Sequence, residues 1–299
     1  MISIILILLF VFSVLSVPVC HGVISGLYLY GMKIFPGLFI SFILTNILVR
    51  ILQQKNINNP WILVITGLMT GFPNGAYICS WYNKNNPENR LGDMLAGIIN
   101  IPSPAFLISY VYINILEKCI SLPMFLALTY TPVILCSYMA ILFFRDKDNK
   151  KDNAPYIKND KKLIFHFFEE AVDSSINTAL TLGAYVIIFS VIVNIIMHFS
   201  QSNTAGLLIS YLFEISNGLA IIKNAGIPMN ITVLLTVLLD AFGGVCIMQT
   251  KSICSSYIIS IKKYIYQKLV LCIVTLAMTY LLIYVLNIPV SYTHLTLPT

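Results

Sequence analysis

Two carboxylates stand where carboxylates are expensive. Of the twelve acidic residues, only Glu214 and Asp240 lie inside long apolar runs. An ionisable group at membrane depth costs about 3 kcal/mol or more and by default marks a pathway or a site. Glu214 opens the stretch Glu214-Ile215-Ser216-Asn217-Gly218. Asp240 precedes Ala241-Phe242-Gly243-Gly244, where a glycine pair lets another backbone approach closely, and Gln249 follows on the same segment. About 140 residues before Glu214 stands Gly71-Phe72-Pro73-Asn74-Gly75-Ala76, again inside an apolar run. Its polar partners are neutral: Asn74, Asn100, Ser103 and the freed carbonyls around Pro73, Pro102 and Pro104.

Amides, carbonyls and one or two carboxylates suit a small polar solute, neutral or cationic. Glu214 or Asp240 could couple its movement to H⁺ or Na⁺. The expected solute contacts are Pro73, Asn74, Gly75, Asn100, Ser103, Glu214, Asn217, Gly218, Asp240, Gly243, Gly244 and Gln249. A structural reading competes, in which the two carboxylates make hydrogen bonds that hold the broken segments. Asn46 and Asn194 read as interhelical hydrogen-bond donors, and Lys33 and Lys223 as snorkelling cations. No nucleophile–base pair, phosphate loop or metal-ligand cluster is present in the sequence, so neither enzyme chemistry nor a metal or cofactor is expected. The seven cysteines form no CxxC pair and read as apolar filler.

The elements that must position these residues follow from composition. The 299 residues are 58% hydrophobic and 10% charged, with mean hydropathy +0.85, far below the roughly 25% charge of a globular domain. That places the chain in the membrane class. The net charge of +6 sits in loops between apolar runs, so it reads as an orientation signal and not as a nucleic-acid footprint.

Residues 1–22 predict an N-terminal transmembrane helix ended by Pro18, His21 and Gly22. Further spans are predicted at 34–52, 94–116, 119–144, 176–199, 229–249 and 269–288, with kinks at Pro123 and Pro132. Segments 61–81 and 206–222 are apolar yet broken by glycine, proline and asparagine. Broken backbone at membrane depth is tolerated only where protein buries it or where it lines a cavity. Residues 145–175 predict a charged cytoplasmic loop and an amphipathic lead-in, and 251–268 a basic loop. The tail Ser291–Thr299 differs in character, resembles translated adapter read-through, and is assigned no role.

Loop charge then decides topology. Segments 145–162 and 251–268 are basic and belong on the cytoplasmic side, while 200–205 carries no charge. Both sides balance only if 61–81 and 206–222 dip in and return. The expected fold is therefore an all-α polytopic membrane protein of about seven transmembrane helices plus two re-entrant hairpins. Units 34–144 and 176–288 then form an inverted repeat. Phe39–Ile47 can be laid on Ile187–Ile195, matching Asn46 with Asn194, and Phe72–Gly75 on Ile215–Gly218.

The stretches GFPNGA at 71–76, Asn100–Phe106, Phe213–Gly218 and Ala241-Phe242-Gly243-Gly244…Gln249 resemble the YlbJ family of sporulation integral membrane proteins. That family belongs to the wider group with the nucleoside-recognition Gate domain, and the resemblance covers roughly residues 30–288. It implies a multi-pass protein of the cytoplasmic membrane of a spore-forming bacterium, needed for spore cortex formation. Two functions remain open at this point. One is a transporter or permease for a small polar solute, with the breaks as its gate. The other is a membrane scaffold recruiting cortex-building or signalling proteins, with loop 145–162 as its contact surface. The partners expected are the lipid bilayer, the solute with H⁺ or Na⁺, and a second copy of the chain.

Overall fold

The computed structural model describes residues 2–54, 59–85, 91–145, 161–200, 204–238, 247–248, 250–251 and 260–282. Every regular element among the described residues is helical. Four helical stretches are long and apolar enough to cross a bilayer: Ser16–Ile51, Leu91–Ile115, Leu122–Phe143 and Phe168–Ser200. Their polarity is turned inside out. Val17, Ile24, Ile40, Leu44 and Phe143 point outward, while Thr45, Thr129, Ser175 and Ser190 are buried. A lipid solvent favours that arrangement, because small polar side chains then pair between helices. Among the described residues the chain is all-α, and its long apolar helices are compatible with a multi-pass membrane protein. The count of seven spans is not reached among the described residues.

Part of the difference lies in the first two expected spans, which merge. Helix α1 (Ile2–Val14) ends at Leu15, whose φ of −94° and ψ of 33° leave the helical region. Helix α2 (Ser16–Tyr28) then runs through π-helical turns at Leu29–Ile34 into α3 (Phe35–Gln54). Pro18 therefore sits in the first turn of α2, where its missing N–H had no intrahelical partner to lose. His21 and Gly22 lie in mid-helix.

Helix α9 (Lys161–Ser200) is the partner of this long rod, and α2 against α9 is the most extensive helix pair. Its 40 residues span about 60 Å, twice the hydrocarbon thickness, so the expected amphipathic lead-in is simply its first turns. Glycines let the two rods touch. A Cβ on Gly22 would lie 2.5 Å from Val191 Cα, and one on Gly26 2.9 Å from Ile187 Cα. Polar pairs run along the same seam. Asn46 Nδ2 donates to Ser175 Oγ at 2.9 Å, Asn194 Nδ2 to Ser25 Oγ at 3.2 Å, and Arg50 pairs with Glu170. Each rod thus places an asparagine in its C-terminal half against a serine in the other's N-terminal half.

Gly22→Leu is expected to destabilise the protein by about 1–3 kcal/mol, because its side chain meets backbone that cannot move aside. Gly31, with nothing within 4 Å of its built Cβ, supplies the control. Gly31→Leu should leave the unfolding midpoint in detergent within a degree or two of wild type. Equal midpoints for the two variants would refute the close seam.

The remaining described helices are α4 (Pro60–Thr70), α5 (Asn74–Asn85), α6 (Leu91–Ile99) and α7 (Pro104–Phe106), which continues as π-helix over Leu107–Ile115. Then come α8 (Leu122–Arg145), α10 (Thr204–Phe213), α11 (Ile215–Asn224), α12 (Met229–Val237) and α13 (Ile261–Tyr280). Pro123 is the second residue of α8 and starts that helix instead of kinking it, whereas Pro132 lies inside. Helix α13 begins within the expected basic loop 251–268. Tyr264, Gln267, Lys268, Leu271 and Thr275 recur at helical spacing and form its buried face. The core falls into two apolar clusters. One gathers Phe42, Leu107, Phe125 and Leu219, the other Leu63, Ile78, Leu95 and Ile99, and the first break lies between them.

Candidate functional site: a cavity between two broken helices

Both breaks turn the chain back on itself. Gly67 packs against Ile99 and Gly71 against Ser103, so α4 runs parallel to the segment 99–103. Beyond the break, Phe72 N–H donates to Ile101 O at 2.8 Å and Ala76 N–H to Asn100 Oδ1 at 3.2 Å. Gly75 returns to the Ile99 carbonyl, so α5 runs antiparallel to the same segment. The reversal falls on Gly71-Phe72-Pro73, with Gly71 at φ +73° and the Phe72–Pro73 bond cis. At the second break a Cβ on Gly218 would lie 2.3 Å from Tyr211 Cα. Residues seven apart in a straight helix are about 10 Å apart, so the chain folds sharply at Glu214.

The two breaks meet. A cavity enclosing about 520 Å³ of space, open mouth included, is lined by Phe72, Pro102, Ser103 and Phe106 from the first half. Glu214, Ile215 and Ser216 line it from the second half, and Ile34, Leu38, Leu182 and Val186 of the long rods close the sides. Glu214 and Ser103 are each 3% exposed. Mostly apolar walls with a few convergent polar groups are the usual lining of small-molecule sites.

Local sequence explains how each polar group is aimed. Ser103 caps the helix that starts at Pro104: its Oγ accepts from Phe106 N–H at 3.3 Å, and proline at the first helical position has no donor to strand. Glu214 does the same for α11, its Oε1 accepting from Ser216 N–H at 3.1 Å. Both half-helices therefore start at the cavity, and their unpaired N–H groups give it positive partial charge. Glu214 is the charged side chain in the lining, and its carboxylate offsets that field. A second anion would be repelled by it, whereas a neutral polar or a cationic group would find a carboxylate and a hydroxyl. Tyr110 OH donates to Ser216 O at 2.6 Å and ties the π-helical Leu107–Ile115 to the second break.

The expected site residues divide into three groups. Ser103 and Glu214 come together in the cavity. Pro73, Asn74, Gly75 and Asn100 are buried at the first break but lie outside the cavity lining. Asn100 is wholly buried, its Nδ2 donating to Thr250 Oγ1 at 2.9 Å and to Tyr264 OH at 2.8 Å. Asn74 Nδ2 is buried with no hydrogen-bond partner among the described residues. Gly218 serves close packing against Tyr211, and Asn217 lies on α11. Asp240, Gly243, Gly244 and Gln249 fall outside the described residues.

Sequence reasoning missed two kinds of residue. Phe72, Phe106 and Ser216 line the cavity without having been named as contacts, although all three lie in stretches already singled out. Behind the first break lies a buried polar cluster with two ionisable members. Asp93, 3% exposed, accepts from Asn83 Nδ2 at 2.7 Å and faces Lys263 Nζ at 3.6 Å. Lys268, 6% exposed, donates to Asn100 O at 2.6 Å. The helical spacing of Tyr264, Gln267 and Lys268 was a signal for the second.

No family model, curated protein or solved structure matches this chain.

Proposed function

We propose that this chain is a transporter-like membrane protein that moves a small neutral or cationic polar solute through the cavity at Glu214. The observation that carries the reading is convergence: the two helix breaks, about 140 residues apart, line one cavity with a carboxylate and a hydroxyl. Broken helices meeting at a shared site between two repeats are a transporter architecture. The reciprocal placement of Asn46 and Asn194 across the rods supports an inverted repeat of units 34–144 and 176–288. On this reading the two hairpins are re-entrant and form the gate. The motif resemblance to the YlbJ family adds the setting: a bacterial cytoplasmic membrane during spore cortex formation.

Alternating access supplies the test. Ser216→Cys, in a background with the seven native cysteines replaced, puts one thiol in the cavity wall. In sealed vesicles of both orientations, a membrane-impermeant thiol reagent is expected to label it from either face. Labelling from one face alone, or from neither, would overturn the transport reading and leave a scaffold.

A further inference from the structure

At the first break, freed backbone carbonyls need partners, because α6 stops at Ile99 and Asn100–Ser103 is not helical. The Ile101 carbonyl is taken by Phe72 N–H. The Asn100 carbonyl is taken by a charged side chain from far along the chain, Lys268 Nζ at 2.6 Å. That ammonium also lies 5.7 Å from the centre of the Tyr264 ring, and Tyr264 OH receives the Asn100 amide. Helix α13 can come this close because Gly97 has no side chain. Gln267 Oε1 accepts from Gly97 N–H at 2.7 Å, and Gln267 Nε2 donates to Asp93 O at 2.6 Å. Lys268 is held in place by backbone contacts one residue away.

The chemistry of that position is specific. The C-terminal end of a helix carries negative partial charge, and an unwound carbonyl beside it is an oxygen ligand for a cation. In transporters built from broken helices, half-helix C-terminal ends and unwound carbonyls coordinate the coupling Na⁺ or H⁺. Here the C-terminal end of α6, its Asn100 carbonyl and an aromatic face surround an ammonium that belongs to the protein.

Resting on the transport reading above, we propose that Lys268 Nζ is a tethered monovalent cation, filling at the first break the place of a coupling Na⁺. The protein then has no need of sodium to hold that break closed. Removing the ammonium opens a site for a small inorganic cation at the Asn100 carbonyl.

The test reads stability and not transport, so its failure and the failure of the transport reading are distinguishable. Purified full-length protein in detergent is melted in sodium chloride and in N-methyl-D-glucamine chloride at equal ionic strength. Wild type and Lys268→Arg are expected to melt at the same temperature in both salts. Lys268→Met should melt lower in the organic salt and recover by about 4 °C in saturating sodium. Lys268→Gln keeps an N–H donor for the Asn100 carbonyl without the charge, so it guards against a Met variant that does not fold. It should show the same sodium response. A glutamine variant indifferent to sodium, or a wild-type protein that sodium itself stabilises, would overturn the proposal.

Discussion

Glu214→Gln is expected to leave the protein folded and to weaken solute binding at the proposed site. Glutamine keeps the length of the side chain and an oxygen for the Ser216 N–H, so the cap on α11 survives. What disappears is the charge, and with it the charge-assisted bond that the proposed solute would make. Such bonds contribute about 1.5–3 kcal/mol, so affinity should fall by about 10- to 150-fold. A panel of small neutral and cationic solutes, tested by thermal shift on purified protein, provides the measurement. A solute that stabilises wild type should lose that effect on the variant. Equal stabilisation of both proteins would show that the carboxylate serves the fold and not the ligand. Glu214→Ala would confuse the two roles, because it removes the cap as well.

Gly71→Ala should be the most damaging small substitution in the first break. Two penalties fall on one methyl group. The residue sits at φ +73°, which disfavours any side chain by about 1–3 kcal/mol. Its Cβ would also lie 2.5 Å from Ser103 N, and both that backbone and the residue's own are fixed by the reversal. Overpacking of this kind adds about 1–3 kcal/mol. Gly226 separates the two causes, for it has φ +67° and nothing within 4 Å of a built Cβ. Gly226→Ala therefore reports a positive-φ penalty without the close contact. Detergent-unfolding midpoints should rank wild type, then Gly226→Ala, then Gly71→Ala well below. If the two variants unfold together, the contact between Gly71 and Ser103 is not as close as described.

The broad architecture was legible in the sequence because it rests on few kinds of residue. Long apolar runs predict helices that face lipid, and Gly-Phe-Pro and Glu-Ile-Ser-Asn-Gly predict breaks that protein must bury. Asn46 and Asn194, solitary amides in apolar helices, predict interhelical bonds. Two things were hidden for physical reasons. The role of a proline depends on its distance from the helix start, so Pro18 looked like a terminator although α2 begins two residues before it. Loop charge, which decides topology well, says nothing of depth. Lys268 therefore counted as one more basic residue of a cytoplasmic loop, while the fold buries it on a helix. Asp93 escaped in the same way, lying just ahead of an apolar run at 94–116. The division of the first break was invisible too. Ser103 and Asn100 are three residues apart, yet one lines the cavity and the other the polar cluster, because the segment is not helical and its two sides face different neighbours.

The hydroxyl of Tyr110 has a mechanical consequence. It holds the carbonyl of Ser216, so the second hairpin is latched to a helix that belongs to the first half. Lys223 repeats the tie farther along, donating to Asn114 O at 2.6 Å and pairing with Glu117 at the same distance. A hairpin fastened twice to the opposite half cannot swing away alone: it either drags that half with it or releases both fastenings. Under the transport reading proposed above, the two breaks form an interlock, in which opening one carries work into the other. A membrane that holds a voltage needs such a device, since a passage open at both ends would discharge it.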